Sequence, residues 1–299
     1  MRLSEAAALI SAHVERDGEF EDLGLIGPYA RSCLVYAVDG HAVAKLAERP
    51  AAAVVTTVAL APRVPNRIGV ILSEAPERDF YTIHHALLTR TPFYWTDFPT
   101  VIDASARIHE RAYVAPRNVR IGRRVVIEPH VTVLERVSIG DDSVVRAGTV
   151  LGSEGFEFKG PAMRQGRASR AARDYGSRTE PVPHAGSVRI GARVEIQASC
   201  AIDLSLFKAP TSIDDDTKLD NLVHVAHSVR IGRNCLIAAS TMIAGSTTIG
   251  DEVWIGPGSV ISSGLTIGDR AAIVIGSTIT RDVEAGTRIA SDLKTYRLT

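Results

Sequence analysis

Residues 219–250 read LDNLVHVAHSVRIGRNCLIAASTMIAGSTTIG. Leu219, Val225, Ile231, Ile237, Ile243 and Ile249 recur at every sixth position, and a small or β-branched residue stands two places earlier at Val223, Val229, Cys235, Thr241 and Thr247. An α-helix cannot hold a period of six on one face, because six steps of 100° carry successive positions round to different sides. On a strand, residues two apart share a face, so each hexapeptide buries one small and one large side chain and then turns. Glycine follows the large residue at Gly232 and Gly250, and elsewhere at Gly122, Gly140, Gly152, Gly191, Gly256 and Gly268, where it is expected to serve tight backbone geometry. The pattern predicts a parallel β-helix of hexapeptide repeats.

Outward from this stretch, the rhythm starts at Ile102, Ile108 and Val114, slips by one residue, and continues from Ile121 to Leu151. It resumes at Ile190, Ile196 and Ile202, breaks again, and then runs from Ile213 to Ile279 without a slip. The first long interruption, residues 153–187, carries Lys159, Arg164, Arg167, Arg170, Arg173 and Arg178. The basic stretch 159–178 reads as a solvated surface loop, or alternatively as a cationic lid that meets phosphates or an acidic carrier protein. Before the repeat the signals are mixed. An amphipathic helix is expected to start at Ser4, strands at 51–60 and 67–72, and a helix capped by Asp79 and carrying His84 and His85 as ordinary helix residues. Phe93, Tyr94, Trp95 and Phe98, between Pro92 and Pro99, read as a hinge. The expected architecture is mainly β, with a small α/β domain at 1–98 and a β-helix at 99–299 holding the insertion 153–187.

The formal net charge is zero and the pI is near 7.1, so no average field steers nucleic acid toward the chain. Cys33, Cys200 and Cys235 are too scattered for a disulfide framework or a zinc motif, which points to a reducing compartment. No run reaches the roughly 18 apolar residues of a spanning helix, and Met1–Phe20 lacks a secretory pattern. A cytoplasmic protein without membrane insertion is expected.

The residues with chemistry are His224 and His227. His224 precedes the buried Val225 and so points outward, while His227 falls at the turn; neither holds a core position, and with surface decoration as the alternative the favoured reading is catalytic. An imidazole titrating near 6.5 suits a base at neutral pH. With three hexapeptides to a coil, the residue 18 places after His227 lies directly over it at a spacing of about 4.8 Å, and that residue is Gly245. The Gly245 N–H can face a developing oxyanion while His227 removes a proton from the nucleophile, with His224 in support: the two halves of an acyl transfer. Phe156 and Phe158, in GFEF, either line an acyl groove or anchor the loop.

The string KLDNLVHVAHSVRIGRNCLIAASTMIAGSTTIG, the earlier GSEGFEF and the opening MRLSEAAALI followed by an α/β domain resemble the UDP-3-O-acylglucosamine N-acyltransferases of lipid A and lipopolysaccharide biosynthesis. The HVAH element also resembles the sister O-acyltransferases acting on UDP-N-acetylglucosamine. The resemblance implies a left-handed β-helix, a homotrimer with active sites between subunits, and transfer of a 3-hydroxyacyl chain from acyl carrier protein to the amine of a nucleotide-sugar. It implies no bound cofactor and no metal, with the acyl carrier protein thioester (or acyl-CoA) as cosubstrate. His227 is then the general base, Gly245 the oxyanion donor, and Asp220 and Asn221 the residues that position the sugar or the base. The family's uracil-binding run, Ser-Phe-Leu-x-Asn-x-x-Tyr, stands here as Ser32 to Asp39, leaving Tyr36 as the aromatic beside which a nucleotide base is expected. A second family histidine, in an NGH element, is Gly264 here.

Three other readings remain at this stage. One is an acetyl-CoA-dependent sugar N-acetyltransferase of surface polysaccharide synthesis. Another is a trimer that keeps the fold without activity. The third is a metal-binding trimer like the γ-class carbonic anhydrases, against which stand the His-x2-His spacing and the distance along the chain to His109 and His130.

Overall fold

The computed structural model describes residues 1–27, 29–159 and 179–290. They form two compact units, one within residues 1–96 and 156–185, the other within 97–155 and 186–290. The segment expected as an insertion of the repeat domain therefore groups from Phe156 onward with the α/β unit, and the reason is local. Phe158–Lys159 and Glu180–Pro181 pair as an antiparallel hairpin, and its neighbour Pro183 accepts a hydrogen bond from the helical His84. The basic residues Arg164, Arg167, Arg170, Arg173 and Arg178 lie outside the described residues.

In the first unit, β1 (His13–Arg16), β2 (Asp22–Leu23), β3 (Cys33–Ala37), β4 (Ala53–Thr56) and β5 (Gly69–Leu72) form one sheet in the order β1-β5-β4-β3-β2. Only β1 runs antiparallel to its neighbour. The β3 burial pattern sets Cys33, Val35 and Ala37 against Val43 and Leu46 of α2 (Gly40–Glu48), which is capped by Asp39 accepting the Ala42 N–H at 2.8 Å. Tyr36 points to the other face, onto α3 (Pro76–Arg90). The helix expected from Ser4 is short: α1 spans Leu3–Ala8, because the chain must turn at Ser11 to enter β1 and pair with β5. Asp79 lies inside α3 and not at its cap; the helix begins at Pro76, which has no N–H to lose at a first turn.

The second unit is a parallel β-helix. Its strands, two to four residues long, stack into three sheets of nine, eight and eight strands among the described residues. Register places Leu219 beside Ile237 and Ile237 beside Ile255, 18 residues per coil. The large positions, from Ile121 to Ile279, and the small ones at Val223, Val229 and Cys235 fill one continuous core. Where the small position is polar it donates inward to a carbonyl: Thr217 Oγ1 to Gly232 at 2.7 Å, and Thr247 Oγ1 to Ser262 at 3.0 Å.

The corners correct one expectation. At these corners the residue that takes positive φ is three places after the large buried one, and not the glycine: Asn234 (54°), Ser240 (58°), Ser246 (61°) and Glu252 (58°). Glycine is needed because coils approach closely there. A Cβ on Gly232 would lie 2.6 Å from the Gly250 carbonyl carbon and oxygen, and against Asp251 Oδ1. That Asp251 oxygen accepts the Arg233 N–H at 2.8 Å, and Asp269 does the same for Asp251 N–H at 2.9 Å, so each corner carboxylate clasps the coil below. Among the described residues no helix is long and apolar enough to cross a membrane.

Candidate functional site

His224 lies on the strand His224–Val225 of the second sheet, between Ala201 on one neighbour and Met242 on the other. Val225 turns into the core, so alternation turns His224 outward, where its side chain is 45% exposed. His227 stands at the next corner and is half-buried. The coil before it is longer than 18 residues: Ile202 and Val225, 23 apart in sequence, are register partners, and the extra residues bulge out at 204–210. That bulge grips the His227 corner. Ser228 (φ 60°) shares a 2.9 Å hydrogen bond with Ser205 and accepts the Leu206 N–H at 3.2 Å, while its own N–H donates to Thr211 Oγ1 at 2.8 Å.

On the other side of His227 is Gly245. A Cβ on Gly245 would sit 2.6 Å from both Cε1 and Nε2 of the His227 ring, so the imidazole lies directly under the glycine and fills the space a side chain would need. Ser246 N–H donates to the His227 carbonyl at 2.9 Å, and Gly264 N–H to the Gly245 carbonyl at 3.0 Å, which fixes the peptides around the glycine. The Gly245 N–H itself takes part in no hydrogen bond among the described residues. A base-capable ring and an unspent backbone donor are thus brought together across one coil step.

Sequence reasoning missed Asp203. It follows the buried Ile202 and opens the bulge, and its side chain is 8% exposed. His224 Nε2–H donates to Asp203 Oδ2 at 3.1 Å, and Ser153 Oγ donates to Asp203 Oδ1 at 2.8 Å from the adjacent strand. The hydrogen bond to this carboxylate, and its charge, hold the His224 imidazolium above the ordinary imidazole range against the opposing effect of burial. The available signal was the break in the hexapeptide rhythm immediately after Asp203.

Other expected residues are placed elsewhere. Asp220 and Asn221 sit at the preceding corner with their side chains engaged: Asp220 Oδ1 accepts from Asn221 (backbone 2.7 Å, side chain 3.0 Å), Oδ2 accepts the Ala239 N–H at 3.2 Å, and Asn221 Oδ1 accepts the Ala198 N–H at 3.1 Å. These bonds stitch three consecutive coils. Asp220 also borders a shallow 260 Å³ groove with Gln197, Lys218, Leu236 and Trp254. In the first unit, Tyr36 donates to Glu77 Oε1 at 3.2 Å and packs on Phe80 and Tyr81. Phe156, 91% exposed, meets the Phe158 ring at 4.8 Å. His84 is no ordinary helix residue. It is fully buried; Nε2–H donates to the Pro183 carbonyl at 2.8 Å, which leaves Nδ1 to accept from the Tyr94 hydroxyl at 2.7 Å. Among the described residues no three His, Cys, Asp or Glu side chains are grouped to hold a metal ion.

Residues 118–153, 210–245 and 246–281 match the bacterial transferase hexapeptide (six repeats), and 228–263 the hexapeptide repeat of succinyl-transferase. The chain carries hexapeptide repeats. It is 37% identical over 135 residues to the UDP-3-O-acylglucosamine N-acyltransferase of Bordetella pertussis, covering 45% of this chain and 34% of that protein. It is 38% identical over 111 residues to UDP-3-O-acylglucosamine N-acyltransferase 1 of Gloeobacter violaceus, covering 37% and 28%. The chain thus spans about a third of the length of the curated relatives it matches. Of solved structures, the UDP-N-acetylglucosamine acyltransferase from Campylobacter jejuni is 20% identical with a TM-score of 0.42, covering 61% of this chain and 68% of that chain.

Proposed function

We propose that this protein is an acyltransferase that moves an acyl chain from a carrier thioester to the amine of a nucleotide-activated aminosugar, the reaction named by its relatives and belonging to lipid A biosynthesis. The observation that carries the reading is the His227 imidazole seated under Gly245, whose N–H is uncommitted among the described residues. The acceptor nitrogen attacks the thioester carbonyl and forms the C–N bond while His227 takes a proton from the amine. The carbonyl oxygen becomes an oxyanion that the Gly245 N–H receives. The intermediate then collapses, the C–S bond breaks, and the thiolate leaves with the proton that His227 returns. The base supplies about 10²–10⁴-fold and the preset donor about 10²–10³-fold.

The donor is acyl carrier protein loaded with a 3-hydroxyacyl chain, and the working unit is a cytoplasmic homotrimer. Exposed Leu236, Met242 and Trp254 on the outward faces of the β-helix support an assembly that covers them. The test is product formation from UDP-3-O-acylglucosamine with acyl carrier protein thioester and, separately, acyl-CoA or acetyl-CoA. His227→Ala is expected to lose at least about a hundredfold in rate. An unchanged rate sinks the catalytic assignment, and transfer from acetyl-CoA alone replaces the carrier-protein donor. Light scattering at three times the subunit mass checks the trimer.

A further inference from the structure

The two histidines stand three residues apart, yet the chain treats them differently. His227 is flanked by the bare Gly245 peptide on one side and the serine-lined bulge on the other. His224 is tied to a carboxylate that is itself 8% exposed and held from its far side by Ser153. A carboxylate so placed is expensive to leave without a cation. The side chains beside His224 on the neighbouring strands are Ala201 and Met242, neither of which titrates, so Asp203 is the titratable group that bears on it among the described residues. With Nε2–H committed to Asp203, the remaining ring nitrogen, Nδ1, is bonded to nothing among the described residues on a side chain 45% exposed.

We propose that Asp203, pinned by Ser153, is the positioning residue of the site: it orients the His224 ring and keeps it a charged hydrogen-bond donor, so that Nδ1–H meets an oxygen of the acceptor. The assignment deepens the acyl-transfer reading and rests on it for the identity of the acceptor. The Asp203–His224 coupling itself does not.

The test follows the imidazole Cε1–H resonances by NMR titration of the full chain, with His224→Gln and His227→Gln to assign them. In the wild type the His224 resonance titrates above the ordinary imidazole range, and in Asp203→Asn it falls back toward that range. In the acyl-transfer assay Asp203→Asn raises KM for the aminosugar by about ten- to a hundredfold, the usual worth of a charge-assisted hydrogen bond, and moves the alkaline limb of the pH profile to lower pH, with kcat at low pH retained. Where Asp203→Asn fails to fold, Ser153→Ala gives a smaller shift in the same direction. A His224 titration that stays in place in whichever of these variants folds overturns the proposal. Because the titration needs no substrate, it decides the Asp203 assignment even if no acyl transfer is found, a result that would refute the parent reading alone.

Discussion

Gly245→Ala is the most direct perturbation of the site, because one methyl group acts on the base without touching it chemically. The new Cβ would lie 2.6 Å from Cε1 and Nε2 of His227, whereas carbon contacts settle near 3.5–4.0 Å. The obstacle is the ring of a half-buried side chain at a corner, so the ring gives way by roughly 1 Å and the coil does not. The expected stability loss is therefore small, about 1 kcal/mol. A 1 Å displacement of a positioned catalytic group is worth roughly 10²-fold in rate, and that is the loss predicted for transfer to the aminosugar. Gly258→Ala is the control: that glycine has a φ of +67° and open space around it, so alanine costs about 1–2 kcal/mol through backbone strain and leaves the rate alone. A cycle with His227→Ala sharpens the test, since Gly245→Ala added to His227→Ala should do little more harm. Wild-type turnover in Gly245→Ala, or losses that multiply in the double variant, would refute the coupling between ring and glycine.

His84 is fully buried and burial lowers its pKa to about 4, so below 6.5 the unfolded chain binds a proton that the folded one refuses. Stability of the first unit is present above pH 6.5 and falls on acidification toward 4, by about 1.4 kcal/mol per unit and roughly 3 kcal/mol in all; urea unfolding at pH 7 and pH 5 measures it, and a flat profile contradicts the reading. Gly232→Ala would push a Cβ to 2.6 Å from backbone atoms of the next coil and should cost 1–3 kcal/mol or more, by thermal melting, well beyond Gly245→Ala. Asp251→Ala removes the acceptor of the Arg233 N–H and should cost about 0.5–1.5 kcal/mol with no change in turnover. Tyr36→Phe removes one hydrogen bond to Glu77 and should leave nucleotide-sugar affinity within twofold, about 0.4 kcal/mol; a loss beyond tenfold returns Tyr36 to the nucleotide site.

The β-helix was legible because its rule is local and repeated. Ile231, Ile237 and Ile243 each announce a buried strand position, and 18 residues to the coil then set His227 under Gly245. What the period does not encode is where the period fails. The bulge at 204–210 supplies Ser205 to the His227 corner and follows directly on Asp203, but across two breaks in the period nothing in the sequence says that Ser153 and Asp203 are register partners. The period is equally silent about the bonds that Asp220 and Asn221 make. Two polar residues beside a histidine motif look like ligands of a substrate, yet a corner of this helix leaves backbone N–H groups unsatisfied, and those side chains are spent on Ala198 and Ala239. Polar corner residues such as Asp220 and Asn221 are tied into the scaffold, whereas Asp203, at an interruption, is tied to His224. By that logic the bulge is the place to look for the groups that make this site differ from other sites built on the same coil, and Asp203 is the first of them.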